Sequence, residues 1–192
     1  MFTKTTYLVR EHVGLLKFAN TYDILEADSG RLVAVAQEKP GLLVHLLRFV
    51  LNKQMLPTHV FIAPSADDAP VISIHRGVTL ISAKIAVKRG DGSDLGYFKS
   101  KMFSLGGGFR VFNHADAQVA EVKGDWKGWN FKYLDAAGKE IGTVTKKWAG
   151  LGKELFTSAD NYVINVADGQ SADFMALLLA AGIAIDTVYK EK

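Results

Sequence analysis

Twelve consecutive residues, Phe174 to Ile185 (FMALLLAAGIAI), carry no polar side chain, and this run limits the possible folds more than any other part of the chain. A helix that is apolar on every side belongs inside a protein or inside a bilayer, because a surface helix shows a single apolar stripe. Length separates the two. At about 1.5 Å per residue the run rises roughly 18 Å, against roughly 30 Å of hydrocarbon. It reaches across a membrane only if Asp186 and Thr187 are drawn in with Val188 and Tyr189. Ala176, Ala180, Ala181, Gly182 and Ala184 keep the rod thin, so that other structure can enclose it closely. Ser171 to Lys192 therefore reads as a buried helix anchored by Phe174, Leu177, Leu178, Ala181 and Ile185, with the rest of the chain wrapped around it.

The rest of the chain reads as β. Thr5 to Arg10 and Tyr22 to Leu25 are short, aromatic and β-branched, and Arg31 to Glu38 alternates well enough to pair back across the Asp28-Ser29-Gly30 turn. His59 to Ala63 is a short strand beside the polar loop Pro64 to Pro70. Between these, Leu42 to Lys53 places His45, Arg48 and Asn52 on one stripe of a greasy helix, which is expected to cap the core or, alternatively, to touch lipid.

From Val71 onward the chain repeats. Phe109-Arg-Val-Phe-Asn and Phe131-Lys-Tyr-Leu-Asp lie 22 residues apart, and the same offset carries Val119 onto Ile141 and Val122 onto Val144. Each unit is an aromatic strand, a turn, and a second strand with apolar anchors ten and thirteen residues on. Tyr22 with Leu32 and Val35, and Ile85 with Leu95 and Phe98, fit the same spacing. Four hairpins of one design imply a repetitive antiparallel sheet. About a dozen short strands leave exposed edges unless the sheet closes, and a barrel that wide needs filling. The predicted fold is thus mainly β, a closed antiparallel barrel of about twelve strands around the buried C-terminal helix, forming a single domain over residues 1–192.

Composition limits the chemistry. The chain has no cysteine, which removes disulfides, thiolate metal sites and cysteine nucleophiles together. A net charge of +3 is compatible with anionic membranes or nucleic acid but too small to argue for either. The first residues, MFTKTTYLVREHVG, show no apolar leader, so a cytoplasmic protein, peripheral at the membrane, is expected. The five histidines are scattered singly and match no metal spacing, and Gly106-Gly-Gly leads into a strand instead of a helix. No catalytic motif is present, so no catalytic residue is assigned and an enzyme is not expected.

The positive charges are more suggestive. Lys84, Lys88, Arg89, Lys99 and Lys101 fall on two strands joined through the Gly90 to Ser93 turn, with Lys84 and Lys88 on one side of theirs and Lys99 and Lys101 on one side of theirs. They are the candidate lipid-binding residues. A second group, Lys123, Lys127 and Lys132, surrounds Trp126 and Trp129; it suits a membrane interface or single-stranded nucleic acid, or else a solvated face with tryptophans in the wall.

Phe156-Thr-Ser-Ala-Asp-Asn-Tyr-Val-Ile followed by Leu177-Leu-Leu-Ala-Ala-Gly-Ile-Ala-Ile-Asp resembles the phospholipid scramblases and the LURP-one-related proteins. Lys146-Lys-Trp-Ala-Gly and Lys101-Met-Phe-Ser-Leu are similar to earlier strands of that family, and order and spacing hold from about Tyr22 to Tyr189. The resemblance implies the tubby C-terminal-like fold, a twelve-stranded barrel around a central helix. It also implies that a basic patch takes phosphoinositide headgroups, and that Ser158 to Gly169 matches an acidic calcium loop. In this chain the metal candidates of that loop reduce to Asp160 and Asp168, with Asn161 beside them. Calcium takes six to eight oxygens. The expectation is therefore no cofactor, and a strand running into a helix capped near Asp168 or Ser171. The leading functional expectation is a non-enzymatic binder of anionic phospholipid or a membrane surface. The alternatives are a regulatory module binding protein or nucleic acid, and a scramblase with a membrane-inserted C-terminal helix.

Overall fold

The computed structural model describes residues 2–12, 20–40, 56–77, 84–100, 108–125, 128–146 and 161–189. Twelve strands precede one helix. They are β1 (Thr6–Glu11), β2 (Thr21–Glu26), β3 (Leu32–Glu38), β4 (Thr58–Ala63), β5 (Ile72–Arg76) and β6 (Lys84–Arg89), then β7 (Asp94–Ser100), β8 (Gly108–Asn113), β9 (Gln118–Asp125), β10 (Asn130–Leu134), β11 (Glu140–Thr145) and β12 (Tyr162–Val166), with α1 (Ala172–Tyr189) last. Each strand pairs antiparallel with its neighbours in the chain, and β1 pairs with β12 to close the barrel. The predicted architecture is the observed one.

Alternation decides which side chains fill the interior, because successive residues of a strand point to opposite faces. Ile85 and Val87 of β6, Phe109 and Val111 of β8, and Phe131 and Tyr133 of β10 are buried in one continuous core with the helix. The repeat is visible in the register. Ile85 lies opposite Phe98, Phe109 opposite Val122, and Phe131 opposite Val144, each thirteen residues on. The pairing shifts just before the turn in all these hairpins, after Val87, Val111 and Tyr133. The first hairpin departs from the expectation: Tyr22 faces Ala36 instead of Val35, and Leu32 is 46% exposed. Its turn is one residue longer, with six residues between the paired Leu25 and Leu32 against five between Phe112 and Gln118. A one-residue change exchanges the faces of a strand, so Ala34 and Ala36 supply the interior.

Helix α1 runs through that interior. Leu177 to Leu179, Ile183 and Ile185 are at most 2% exposed, and Phe174 packs half-buried at the rim. Ser171 caps the helix, its Oγ accepting from the Phe174 amide at 3.2 Å, while Asp168 stays exposed in the preceding turn. Burying a large aliphatic side chain contributes about 1.5–3 kcal/mol, so the rod is a dominant stabilising element. Its position is set by specific contacts. Tyr133 donates its hydroxyl proton to the Leu178 carbonyl at 2.8 Å, and Tyr22 donates to the buried Asp186 carboxylate. The Leu42 to Lys53 helix expected from the sequence lies outside the described residues.

Candidate functional site

The inward demands of β6, β7 and β8 leave a distinct set of side chains outside. Because Ile85, Val87, Phe98, Phe109 and Val111 face the core, Lys84, Tyr97, Lys99, Arg110 and Phe112 face outward. Register then sets them side by side: Lys84 lies opposite Lys99, Lys99 opposite Arg110, and Tyr97 opposite Phe112. The rings of Tyr97 and Phe112 stack at 4.8 Å with planes 8° apart. Lys84 Nζ stands 4.1 Å from the centre of the Tyr97 ring, and Lys99 Nζ stands 5.3 Å from it and 5.0 Å from the Phe112 ring. The result is a cationic row laid over an aromatic floor.

The floor is fixed from below. Tyr97 is 8% exposed and donates its hydroxyl proton to Asp116, which sits in the turn after β8 with φ of 63°. That hydrogen bond to Asp116, followed by burial, raises the phenol above its ordinary value, so it stays protonated as a donor. A lysine over an aromatic face gains about 0.5–1 kcal/mol at an exposed site. Like charges directly opposite across strands are destabilising by a comparable amount. Among the described residues no carboxylate forms an ion pair with Lys84, Lys99 or Arg110. Glu121 of β9 stands opposite Arg110 and Asp94 lies within electrostatic reach of Lys84, so the negative charge near the row is only partial.

The remaining sequence candidates have other work. Lys88 pairs with Asp94 at 2.8 Å, and Arg89 pairs with Asp173 at 2.6 Å, which ties the turn between β6 and β7 to the first turn of α1. Lys101 lies outside the described residues, as does Asp160. Arg110 was not picked out from the sequence, since only the pairing of β7 with β8 brings it beside Lys99. In the second basic group, Lys123 lies opposite Lys132, and Lys132 is held by Glu140 at 2.7 Å. Trp129 packs 5.5 Å from the Tyr162 ring with Lys146 Nζ 4.4 Å above it, and Trp126 and Lys127 lie outside the described residues.

A cavity of about 640 Å³ opens where α1 begins, with Leu95, Ile141, Phe174 and Leu177 among its walls. Its polar rim is occupied by structure: the Asn113 side chain accepts the amides of Ala115 and Ala117, Asp135 accepts those of Ala137 and Lys139, and Ser171 caps the helix. Among the described residues no three His, Asp or Glu side chains gather as a metal site. The scattered histidines are not all apart, however. His59 and His75 lie directly opposite on β4 and β5, with ring centres 4.6 Å apart.

Among the described residues no helix is long and apolar enough to cross a membrane. A protein-family model, Scramblase, matches residues 16–192. No curated protein and no solved structure matches the chain.

Proposed function

Because the chain belongs to the scramblase family, we propose that it acts at phospholipid, with the outward face of β6, β7 and β8 docking on anionic headgroups without chemical turnover. Family membership supports a scramblase-like function. The observation that carries the finer reading is the cross-strand row Lys84, Lys99 and Arg110, in which the two lysines lie over Tyr97 and Phe112 and form no ion pair among the described residues, while Arg110 stands opposite Glu121. Phosphate oxygens would supply the missing charge, and stacked rings suit the interfacial zone of a bilayer. Burial of Leu177 to Ile185 inside the barrel favours docking at the surface over insertion of the tail.

Near an anionic membrane each basic side chain contributes about 1 kcal/mol, screened by salt. Three together contribute about 3 kcal/mol, roughly a hundredfold in partition. Flotation with phosphatidylglycerol vesicles tests this. The triple variant Lys84→Gln, Lys99→Gln, Arg110→Gln is expected to lose binding by about that factor. Equal flotation of the triple variant and the unaltered protein would reject the face.

A further inference from the structure

We propose that the docking face continues onto β5 and β4 through His59 and His75, and that protonation of this pair tightens association with an anionic bilayer in acid. This rests on the reading of the β6 to β8 face given above. One transverse row carries the argument. Phe112 lies opposite Tyr97, Tyr97 opposite Ala86, Ala86 opposite His75, and His75 opposite His59, one outward residue from each of five neighbouring strands. The aromatic floor beneath the lysines is thus continued by two imidazoles on the same side of the barrel. Phe61 extends it, its ring 5.9 Å from that of His75 with the Lys39 ammonium 5.7 Å from its centre.

The surroundings of the pair are cationic. Lys39 follows β3 and donates its amide to the His59 carbonyl; on β6, Lys84 and Lys88 flank Ala86; on β4 and β5, Phe61 and Ser73 are the outward neighbours. Asp94 pairs with Lys88 and also feels the charge of Lys84, and among the described residues no carboxylate pairs with either imidazole. Burial, the neighbouring His59 and the charge of Lys88 together hold His75 below its ordinary value. Away from a membrane His75 therefore favours its neutral form. An anionic surface supplies the counter-charge that the protein lacks, and linkage makes the effect reciprocal: a bilayer that favours the imidazolium is bound more tightly by it. The sign follows from the depressed value. Affinity rises as pH falls through the His75 titration, which burial and the neighbouring charges hold below its ordinary value. Each added cation contributes about fivefold near an anionic surface, so one or both protonations give roughly five- to thirtyfold.

Vesicles of phosphatidylglycerol and phosphatidylcholine, at one salt concentration, keep their own charge constant over the range. The full chain is expected to partition roughly five- to thirtyfold more strongly at pH 5.0 than at pH 7.5. His59→Gln with His75→Gln is expected to show no acid gain, with the same partition at pH 5.0 as at pH 7.5. His12, paired with Asp23, and exposed His114 remain in that variant and act as internal controls. A flat profile for the unaltered protein, or an acid gain retained by the double variant, overturns the inference. Those results leave intact a lysine-dependent binding at pH 7.5, so failure here and failure of the β6 to β8 face are distinguishable. If the double variant does not fold, imidazole proton resonances of the unaltered protein decide: the His75 titration is expected to move to higher pH with anionic vesicles, and an unmoved titration overturns the proposal.

Discussion

Gly182 stands at a close approach between rod and wall. An added Cβ would come 2.5 Å from Ile164 Cδ1 and 2.9 Å from the Tyr133 hydroxyl oxygen, the group that also holds the Leu178 carbonyl. Over-packing of this kind costs about 1–3 kcal/mol. Gly182→Val is therefore expected to lower the unfolding free energy read from urea titration by that amount, and an unaltered value would mean that the barrel accommodates the larger side chain. The small residues of the helix were legible as a requirement for thinness. What faces them was not, because a tyrosine hydroxyl aimed inward leaves no trace in the spacing of its strand. Asp186 illustrates the limit: it closes the apolar run in the sequence, yet it is fully buried and accepts from Tyr22. Burial, then the charge of Asp186, holds the Tyr22 hydroxyl far above its ordinary value, so it remains a donor. Arg110, His59 and His75 were missed for a related reason. Each becomes meaningful only once two strands are in register.

The hairpin is the element that the sequence displayed best. Its thirteen-residue anchors, Ile85 with Phe98, Phe109 with Val122 and Phe131 with Val144, are cross-strand pairs because interior positions must be apolar on both strands. Turn length was the weak point, as the extra residue before Leu32 shows. The helix start was narrowed to Asp168 or Ser171, and the hydroxyl at Ser171 provides the cap. Loss of such a cap costs about 0.5–2 kcal/mol. Ser171→Ala is expected to lower the thermal midpoint accordingly and Ser171→Asp to restore most of it, since an aspartate can accept the same amide. A variant series with three identical midpoints would show that Arg89 and Asp173, joined at 2.6 Å, fix the helix start unaided.

Closure is a property of the whole molecule. Counting short strands and asking where their edges go led to a barrel, but no local pattern reveals which strands meet at the seam. The seam joins β1 to β12: Tyr7 pairs with Ile164, Val9 with Tyr162, and the Asn165 side chain donates to Thr6 Oγ1 at 2.8 Å. Removing residues 2–11 would leave β2 and β12 as open edges and uncover one side of α1. Such a deletion is expected to self-associate on size exclusion and to lose cooperative unfolding; a monomer with a sharp transition would show that the other strands close without β1.

The same seam imposes a timetable on synthesis. A ribosome delivers Tyr7 early, but its partner Ile164 and the rod that fills the interior come after all the other strands. No shorter nascent chain is a smaller working copy of the finished protein. Until the last turns of the helix emerge, the half-made cage is hollow and unzipped.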